Sequence, residues 1–178
     1  MASSASPVFR AVRPYNHHNR LFSFWYSLDW ELSEFGGDSE GVRVSPPGAS
    51  ATTFYAEVRE LPMSVTSSDL STLRTGLEQG LAKLTECHVE SQNEHLDGDQ
   101  LEFERIYRFH EASTVRKRHL LVYFKDRWQY NVVCQGATEE DFAYWLPMFD
   151  FMRLTFRLSG SDATSQFTPS PHLNALQT

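Results

Sequence analysis

The stretch FSFWYSLDW, residues 22–30, alternates large apolar side chains with small or polar ones. Such alternation predicts a β-strand with one face in the protein core. The expected core face carries five apolar side chains: Phe22, Phe24, Tyr26, Leu28 and Trp30. Trp25 falls on the opposite face, among Ser23, Ser27 and Asp29. We therefore expect a ring-rich core wall, with Trp25 in need of another partner.

The same alternation, broken once by a helical period, continues along the chain. Strands are predicted at 41–45 and 52–61, and Pro62 ends the latter because it has no amide hydrogen for a ladder. Leucines at helical spacing from Leu70 to Leu84 predict an amphipathic helix. Strands at 87–96, 101–112, 119–124 and 128–136 follow, and a helix begins at the capping sequence after Thr138. Links this short favour antiparallel pairing. The prediction is an α+β fold, an antiparallel β-sheet flanked by helices in the order β-β-β-α-β-β-β-β-α.

Two further helix details are expected. Gly76 and Gly80 lie four residues apart in the first helix, which suggests that they allow close approach to the sheet. Pro147 should kink or interrupt the second helix.

Length and composition favour one domain with a real core. Of the 178 residues, 13% are aromatic. Residues 1–19 and 159–178 are low in pattern and are expected to be flexible tails around a domain at 20–158.

The net charge of −7 disfavours nucleic acid and anionic membranes as partners. With no apolar run of signal-peptide or membrane-spanning length, the protein is expected to be cytoplasmic. Cys87 and Cys134 are then expected to be free thiols.

The element order and the Leu28-Asp29-Trp30 ending of the first strand resemble the PsbP-like fold. That superfamily includes photosystem PsbP, the nuclear-import factors that bind the GTPase Ran, and bacterial DcrB-type proteins. The resemblance covers roughly residues 21–158. It implies an antiparallel sheet flanked by helices, used mainly to bind proteins and without a shared active site.

The titratable residues do not form a recognisable catalytic or metal-binding motif. His17 and His18 are adjacent in the expected tail, and the remaining histidines are spread over separate strands without the spacing of metal ligands: His88, His95, His110 and His119. Glu102 and Glu104 are expected to make cross-strand charge pairs. The basic run 116–118 is interpreted as a solvated turn. We expect no enzyme activity, no cofactor and no metal.

The sequence thus favours a non-catalytic protein-binding module, an adaptor or chaperone-like protein, that presents a sheet face to a protein partner or to a second copy of itself. The candidate interface residues are Trp25, Tyr55, Arg59 and Trp128, since Trp, Tyr and Arg are favoured at interface hot spots. The alternative is an enzyme or small-ligand carrier with a cavity between a curved sheet and the C-terminal helix.

Overall fold

The computed structural model describes residue 7 and residues 11–98 and 100–158. The expected tail at 159–178 lies outside these residues. The described part forms strands and helices in the following order: β1 (Val12–Asn16), β2 (Phe22–Ser27), β3 (Glu31–Phe35), β4 (Glu40–Ser45), β5 (Thr53–Glu60), α1 (Leu70–Ala82), β6 (Thr85–Asp97), β7 (Gln100–Glu111), β8 (Thr114–Lys125), β9 (Trp128–Gln135), α2 (Glu139–Thr155) and β10 (Arg157–Leu158). The predicted α+β class is confirmed. Neither described helix is both long and apolar enough to span a membrane.

The strands form two antiparallel sheets. The small sheet has the order β1-β2-β10, and the large sheet has the order β3-β4-β5-β9-β8-β7-β6. In the large sheet, two residues that lie opposite each other on neighbouring strands point to the same face. Phe54 lies opposite Cys134, and Tyr55 lies opposite Val133 on the other face. The large sheet therefore has an inner face, which carries Phe54, and an outer face, which carries Tyr55.

Aromatic side chains fill the space between the inner face and the small sheet. Phe22, Phe24 and Tyr26 of β2 are all buried, and the Phe24 ring lies 4.8 Å from the Phe54 ring. Helix α2 packs into the same core through its buried residues, which are Phe142, Met148, Phe149 and Met152. The predicted core wall of β2 is confirmed for these aromatic residues.

The predicted first strand is shorter than expected. After Ser27 the chain turns, with the amide of Trp30 donating to the carbonyl of Ser27 at 3.1 Å. Leu28 occupies the turn and is 48% exposed, so its assignment to the core was wrong. Trp30 is buried as predicted, because after the turn its ring meets Trp145 edge to face.

Three strands have no counterpart in the sequence prediction. Strand β1 lies within the expected N-terminal tail, where Pro14 and a single buried residue, Tyr15, leave little alternation to detect. Strand β3 is an edge strand, mostly exposed, and β10 has only two residues. The residues of an edge strand need not alternate between buried and exposed positions.

The basic run 116–118 lies within β8 and not in a turn. Arg116 pairs with Glu111 at 2.5 Å and Lys117 with Glu90 at 2.6 Å. Both pairs reach neighbouring parts of the sheet, so the charges stabilise strand packing instead of being solvated alone.

A chain of charged groups holds α1 over the outer face. Arg105 of β7 is only 2% exposed, and its guanidinium donates to Glu94 of β6 at 2.8 Å. Arg74 of α1 donates to the same carboxylate at 2.9 and 3.0 Å. These hydrogen bonds, with that from Arg74 foremost, lower the pKa of Glu94 to about 2. The helix is thereby tied to the β6 side of the sheet.

Helix α2 is tied to the inner face by a second polar cluster. His119, which is 4% exposed, contacts the Glu104 carboxylate at 2.6 Å, and Arg153 of α2 donates to the same oxygen at 3.4 Å. The hydrogen bond from His119 leads the effects that lower the pKa of Glu104 to about 2, while burial lowers the pKa of His119. His119 is thus a buried residue that joins β8 to β7 and α2 through this cluster.

Pro147 does not end α2, which runs on to Thr155. Pro147 and Ala143, whose carbonyl would lose its helical donor, are both exposed, so water can satisfy that carbonyl. Buried residues on both sides of Pro147 hold the two halves of the helix against the core.

The Glu104 cluster predicts a pH-dependent stability. Glu104→Gln should lower the free energy of unfolding at pH 7 by about 1.5–3 kcal/mol, because it removes a charged hydrogen-bond acceptor. The folded-state pKa of Glu104, about 2, lies below its ordinary 4.5, so the stabilisation is present above pH 4.5 and is lost as the pH falls towards 2. Urea denaturation should show the gap between wild type and variant narrowing from pH 7 to pH 3. Glu78→Gln, on an exposed position of α1, is the control, and a gap that stays constant with pH would contradict the assignment.

Gly136 predicts a second stability effect. A Cβ atom there would lie 2.4 Å from the Phe142 amide nitrogen and 2.4 Å from the Thr138 carbonyl oxygen, both backbone atoms at the start of α2. Gly136→Ala should therefore destabilise the protein by about 3 kcal/mol. The matched change Gly76→Ala, where nothing lies within 4 Å, should stabilise it by up to about 1 kcal/mol. Equal urea midpoints for the two variants would show that the tight start of α2 is not needed.

Candidate binding groove

A groove of about 580 Å³ opens on the outer face between α1 and strands β5 and β9. It exists because α1 is tied to the β6 side and leaves the other half of the outer face uncovered. Its apolar lining comes from α1 and from the sheet beneath it: Leu73, Leu77, Leu81, Leu84, Phe103, Leu120, Val122 and Phe124. We call this feature the α1 groove.

The two glycines of α1 face this groove. Gly76 and Gly80 both line it, and a Cβ atom built on either would meet nothing within 4 Å. The expectation that they allow close approach to the sheet was therefore wrong. They instead leave two positions beside the groove-lining leucines of α1 without a side chain, which widens the groove there.

A polar rim lies opposite α1. Arg59 donates to the side chain of Gln129 at 2.5 Å, and Gln129 donates to Asn131 at 3.1 Å. Arg118 also belongs to this rim and lines the groove with Tyr55, and its Nε donates to the side chain of Gln135 at 2.9 Å. Among the described residues that line the groove, Arg59 and Arg118 carry positive charge and none is acidic. Asn131 donates in turn to Glu57, which lies outside the lining, at 2.6 Å, so the positive charge of the rim is confined to the two arginines.

The open surface continues past Tyr55 into a shallower, more polar depression of about 450 Å³. Tyr55 and Arg118 line both features, while Glu57 and Glu111 appear only in the depression. Burial leads the effects that raise the pKa of Tyr55, so its hydroxyl stays protonated and can donate a hydrogen bond. The uncovered half of the outer face is thus a continuous surface, apolar beside α1 and polar beyond Tyr55.

The four candidate interface residues do not share one face. Tyr55 and Arg59 meet on the outer face and line the α1 groove. Trp128 pairs with Glu60 on the inner face and packs, half-buried, against the main core. Trp25 is 44% exposed on the small sheet, where its amide donates to Thr155 at 3.0 Å. The expectation of one common surface was therefore wrong for the two tryptophans.

Sequence reasoning missed the groove lining on α1 and Arg118. Arg118 had been placed in a turn, and the leucines of α1 predicted only an amphipathic helix. The signal available was the glycine pair, since a helix that packs tightly on a sheet gains little from two residues of poor helix propensity. The structure also puts the groove beside α1, whereas the alternative hypothesis required a cavity under the C-terminal helix α2, where aromatic and methionine side chains fill the core.

The two thiols offer little nucleophilic chemistry. Cys134 is buried on the inner face and Cys87 is half-buried, and both are free. Burial is the main effect that raises the pKa of each. A raised pKa keeps a thiol protonated and unreactive at neutral pH.

No protein-family model and no curated protein sequence matches this chain. Several solved structures share its fold. The solution structure of cyanobacterial PsbP (CyanoP) from Synechocystis sp. PCC 6803 aligns with a TM-score of 0.61 at 12% identity, over 89% of this chain and 98% of that one. LpqN, involved in cell envelope biogenesis of Mycobacterium tuberculosis, aligns with a TM-score of 0.58 at 10% identity, over 83% of this chain and 90% of that one. A protein from Bacteroides thetaiotaomicron VPI-5482 aligns with a TM-score of 0.54 at 15% identity, over 83% of this chain and 48% of that one.

At these identities the likeness concerns the fold and no activity or partner. The element order, the antiparallel sheet and the two flanking helices agree with that likeness over most of the chain. This protein therefore has a PsbP-like fold.

Proposed function

We propose that this protein is a non-catalytic protein-binding module whose α1 groove receives an apolar segment of a partner protein that carries an acidic residue. The observation that carries the proposal is the composition of the groove, which joins an apolar wall and floor to a rim with two arginines and no acidic lining residue. The partner-binding role of Tyr55 and Arg59 is retained, and that of Trp25 and Trp128 is not part of the proposal.

The apolar part of the groove supports a peptide-like occupant. Leucine side chains at successive turns of α1 form a row along the groove, and a partner segment could place its own apolar side chains between that row and the sheet. Gly76 and Gly80 leave room for those side chains without a change in backbone. Burial of such side chains supplies the main favourable free energy of association.

The polar rim supports an acidic residue in the partner. Arg59 and Arg118 already donate to neutral glutamine oxygens. A partner carboxylate would replace a neutral acceptor with a charged one, and charge-assisted hydrogen bonds are roughly twice as strong. The same charges would disfavour a basic segment and so contribute specificity.

A small apolar ligand is the second candidate, favoured by one observation. The groove volume of about 580 Å³ falls within the roughly 300–1,000 Å³ of small-molecule sites. The row of leucines along α1 and the continuity of the groove with the depression beyond Tyr55 favour the protein segment instead.

Filling the groove with larger side chains should weaken the binding of partner peptides. A random-peptide display library selected on the wild-type protein should enrich peptides with apolar residues beside Asp or Glu. Gly76→Leu, Gly80→Leu places two new side chains in the groove, and it should weaken binding of the enriched peptides by more than about tenfold, a loss of 1.4 kcal/mol or more. Gln79→Leu, which adds the same side chain at an exposed position outside the groove lining, is the matched control.

Fluorescence anisotropy with labelled enriched peptides gives the affinities, and circular dichroism confirms that each variant is folded. Equal affinity for the filled and the control variant would exclude the groove as the peptide site, and failure to enrich any peptide would contradict a protein segment as its occupant. Binding of 1-anilinonaphthalene-8-sulfonate that is lost on filling, without any peptide enrichment, would favour the small-ligand candidate.

The charge of the rim gives a separate prediction. Arg59→Gln keeps a polar side chain beside Gln129 and removes the positive charge. It should therefore lower the affinity for peptides that contain Asp or Glu by about tenfold, and leave the affinity for the matched Asn or Gln peptides unchanged. Isothermal titration calorimetry with both peptide sets measures the difference. An equal loss for both sets would show that Arg59 contributes packing and not charge recognition.

A further inference from the structure

Three potential metal-ligating side chains meet at a place that is remote from the α1 groove. The turn between β1 and β2 carries His17 and His18, and the start of β4 in the other sheet carries Glu40. One ligand atom from each of these residues lies within 4.8 Å of the other two. The sequence did not suggest this cluster, because the histidines had been assigned to a tail and Glu40 belongs to another sheet.

His17 is the unusual member of the cluster. Its side chain is 1% exposed, and neither ring nitrogen has a hydrogen-bond partner among the described residues. A buried polar group without a partner costs free energy, roughly 1–3 kcal/mol, so such groups are rare in native proteins. Glu40 Oε2 lies 3.7 Å from His17 Nε2, which is beyond hydrogen-bond distance.

The backbone of the turn fixes the two imidazole rings. The Arg20 amide donates to the His17 carbonyl at 2.7 Å, and the His17 amide donates to the Phe22 carbonyl at 3.0 Å. Arg20 takes a left-handed conformation, with φ of 55°, to close the turn. The His17 ring packs on Phe22 at 4.8 Å, and the His18 ring lies 4.3 Å from that of His17.

The distances fit a small tetrahedral ion. With metal–ligand bonds of about 2.0–2.1 Å, the ligand atoms of a tetrahedral zinc site lie roughly 3.3 Å apart. The distance from His18 Nε2 to Glu40 Oε2 is 3.2 Å and that from His17 Nε2 to the same oxygen is 3.7 Å. These two distances are within a few tenths of an ångström of that value, and the ligand atoms of His17 and His18 lie within 4.8 Å of each other.

We propose that His17, His18 and Glu40 bind a divalent transition-metal ion of the zinc class. Two imidazole nitrogens and one carboxylate oxygen form a donor set typical of zinc sites that keep a fourth position for water. The ion would supply the missing partner of the buried His17 nitrogen. Because Glu40 belongs to the large sheet and the histidines to the small one, the ion would also join the two sheets.

The protonation of His17 is compatible with this role. Burial and the neighbouring His18 lower the pKa of His17, so its ring is neutral at pH 7. Asn19 lies 3.0 Å from His18 Nε2 and 3.5 Å from Glu40, and it would have to release His18 Nε2 when the ion binds. The harder ions magnesium and calcium prefer all-oxygen sites and are not expected here.

Metal titration of the tag-free, full-length protein tests the site. Competition with a chromophoric chelator should show one Zn²⁺ ion bound per chain, and Co²⁺ should give the visible absorption of a tetrahedral centre. His18→Ala and Glu40→Gln, both at accessible side chains, should each weaken Zn²⁺ binding by more than about tenfold. His95→Ala, an exposed histidine outside the cluster, should leave it unchanged.

Thermal unfolding gives an independent readout. Excess Zn²⁺ should raise the melting temperature of the wild type and of His95→Ala, since binding to the folded state alone stabilises it, but not that of His18→Ala. Failure of the wild type to bind Zn²⁺ would overturn the proposal. So would an unchanged affinity in both His18→Ala and Glu40→Gln when circular dichroism shows that they are folded.

Discussion

The two faces of the large sheet are covered unequally, and this constraint determines where the protein can act. The alternation of Phe22, Phe24 and Tyr26 with outward residues puts every large ring of β2 except Trp25 on one side of the small sheet. Those rings and α2 together cover the inner face over β5, β9 and β8, whereas Ile106 of β7 stays partly exposed and Arg108 exposed on that face. Only α1 remains for the outer face, and one helix does not cover seven strands. An open half of that face follows from the number of elements and not from any single residue.

The position of α1 is set by the buried charge of Arg105. A guanidinium that is 2% exposed must be paired, because desolvation of an unpaired charge costs several kcal/mol. Glu94 supplies the partner, and the remaining capacity of its carboxylate binds Arg74 of α1. The same network that satisfies Arg105 thus draws α1 towards β6 and away from β5. The network therefore acts together with the packing of the α1 leucines on Phe103 and Val122 to place the groove on the β5 side of the helix.

The sequence predicted the parts of the fold that a hydrophobic period encodes. Strands β4, β5, β7 and β9 and both helices have such patterns and were predicted near their observed positions. Strand β8 begins at Thr114, before its predicted start at residue 119, and β6 is exposed along almost its whole length and has no such pattern. Edge strand β3 is mostly exposed on both faces, and the strand with Pro14 has a single buried residue, so neither carries such a pattern. The hydrophobic period of a strand also does not determine to which of the two faces of the assembled sheet a given side chain points. For that reason Trp128 was grouped with Tyr55, although the register places it on the inner face.

The candidate sites depend on contacts between elements that are far apart in the chain, so local pattern could not show them. Tyr55 and Arg59 were recognised by residue type, but Arg118 and the glycines of α1 join them only through the β5-β9-β8 pairing and the placement of α1. His17 and Glu40 meet only because the small sheet packs on the large one. The groove and the metal cluster also differ in what they require of the fold. The groove needs a surface that the packing leaves open, whereas the cluster needs the closed packing of the two sheets that buries His17. The unequal coverage of the large sheet provides both conditions, one on each face.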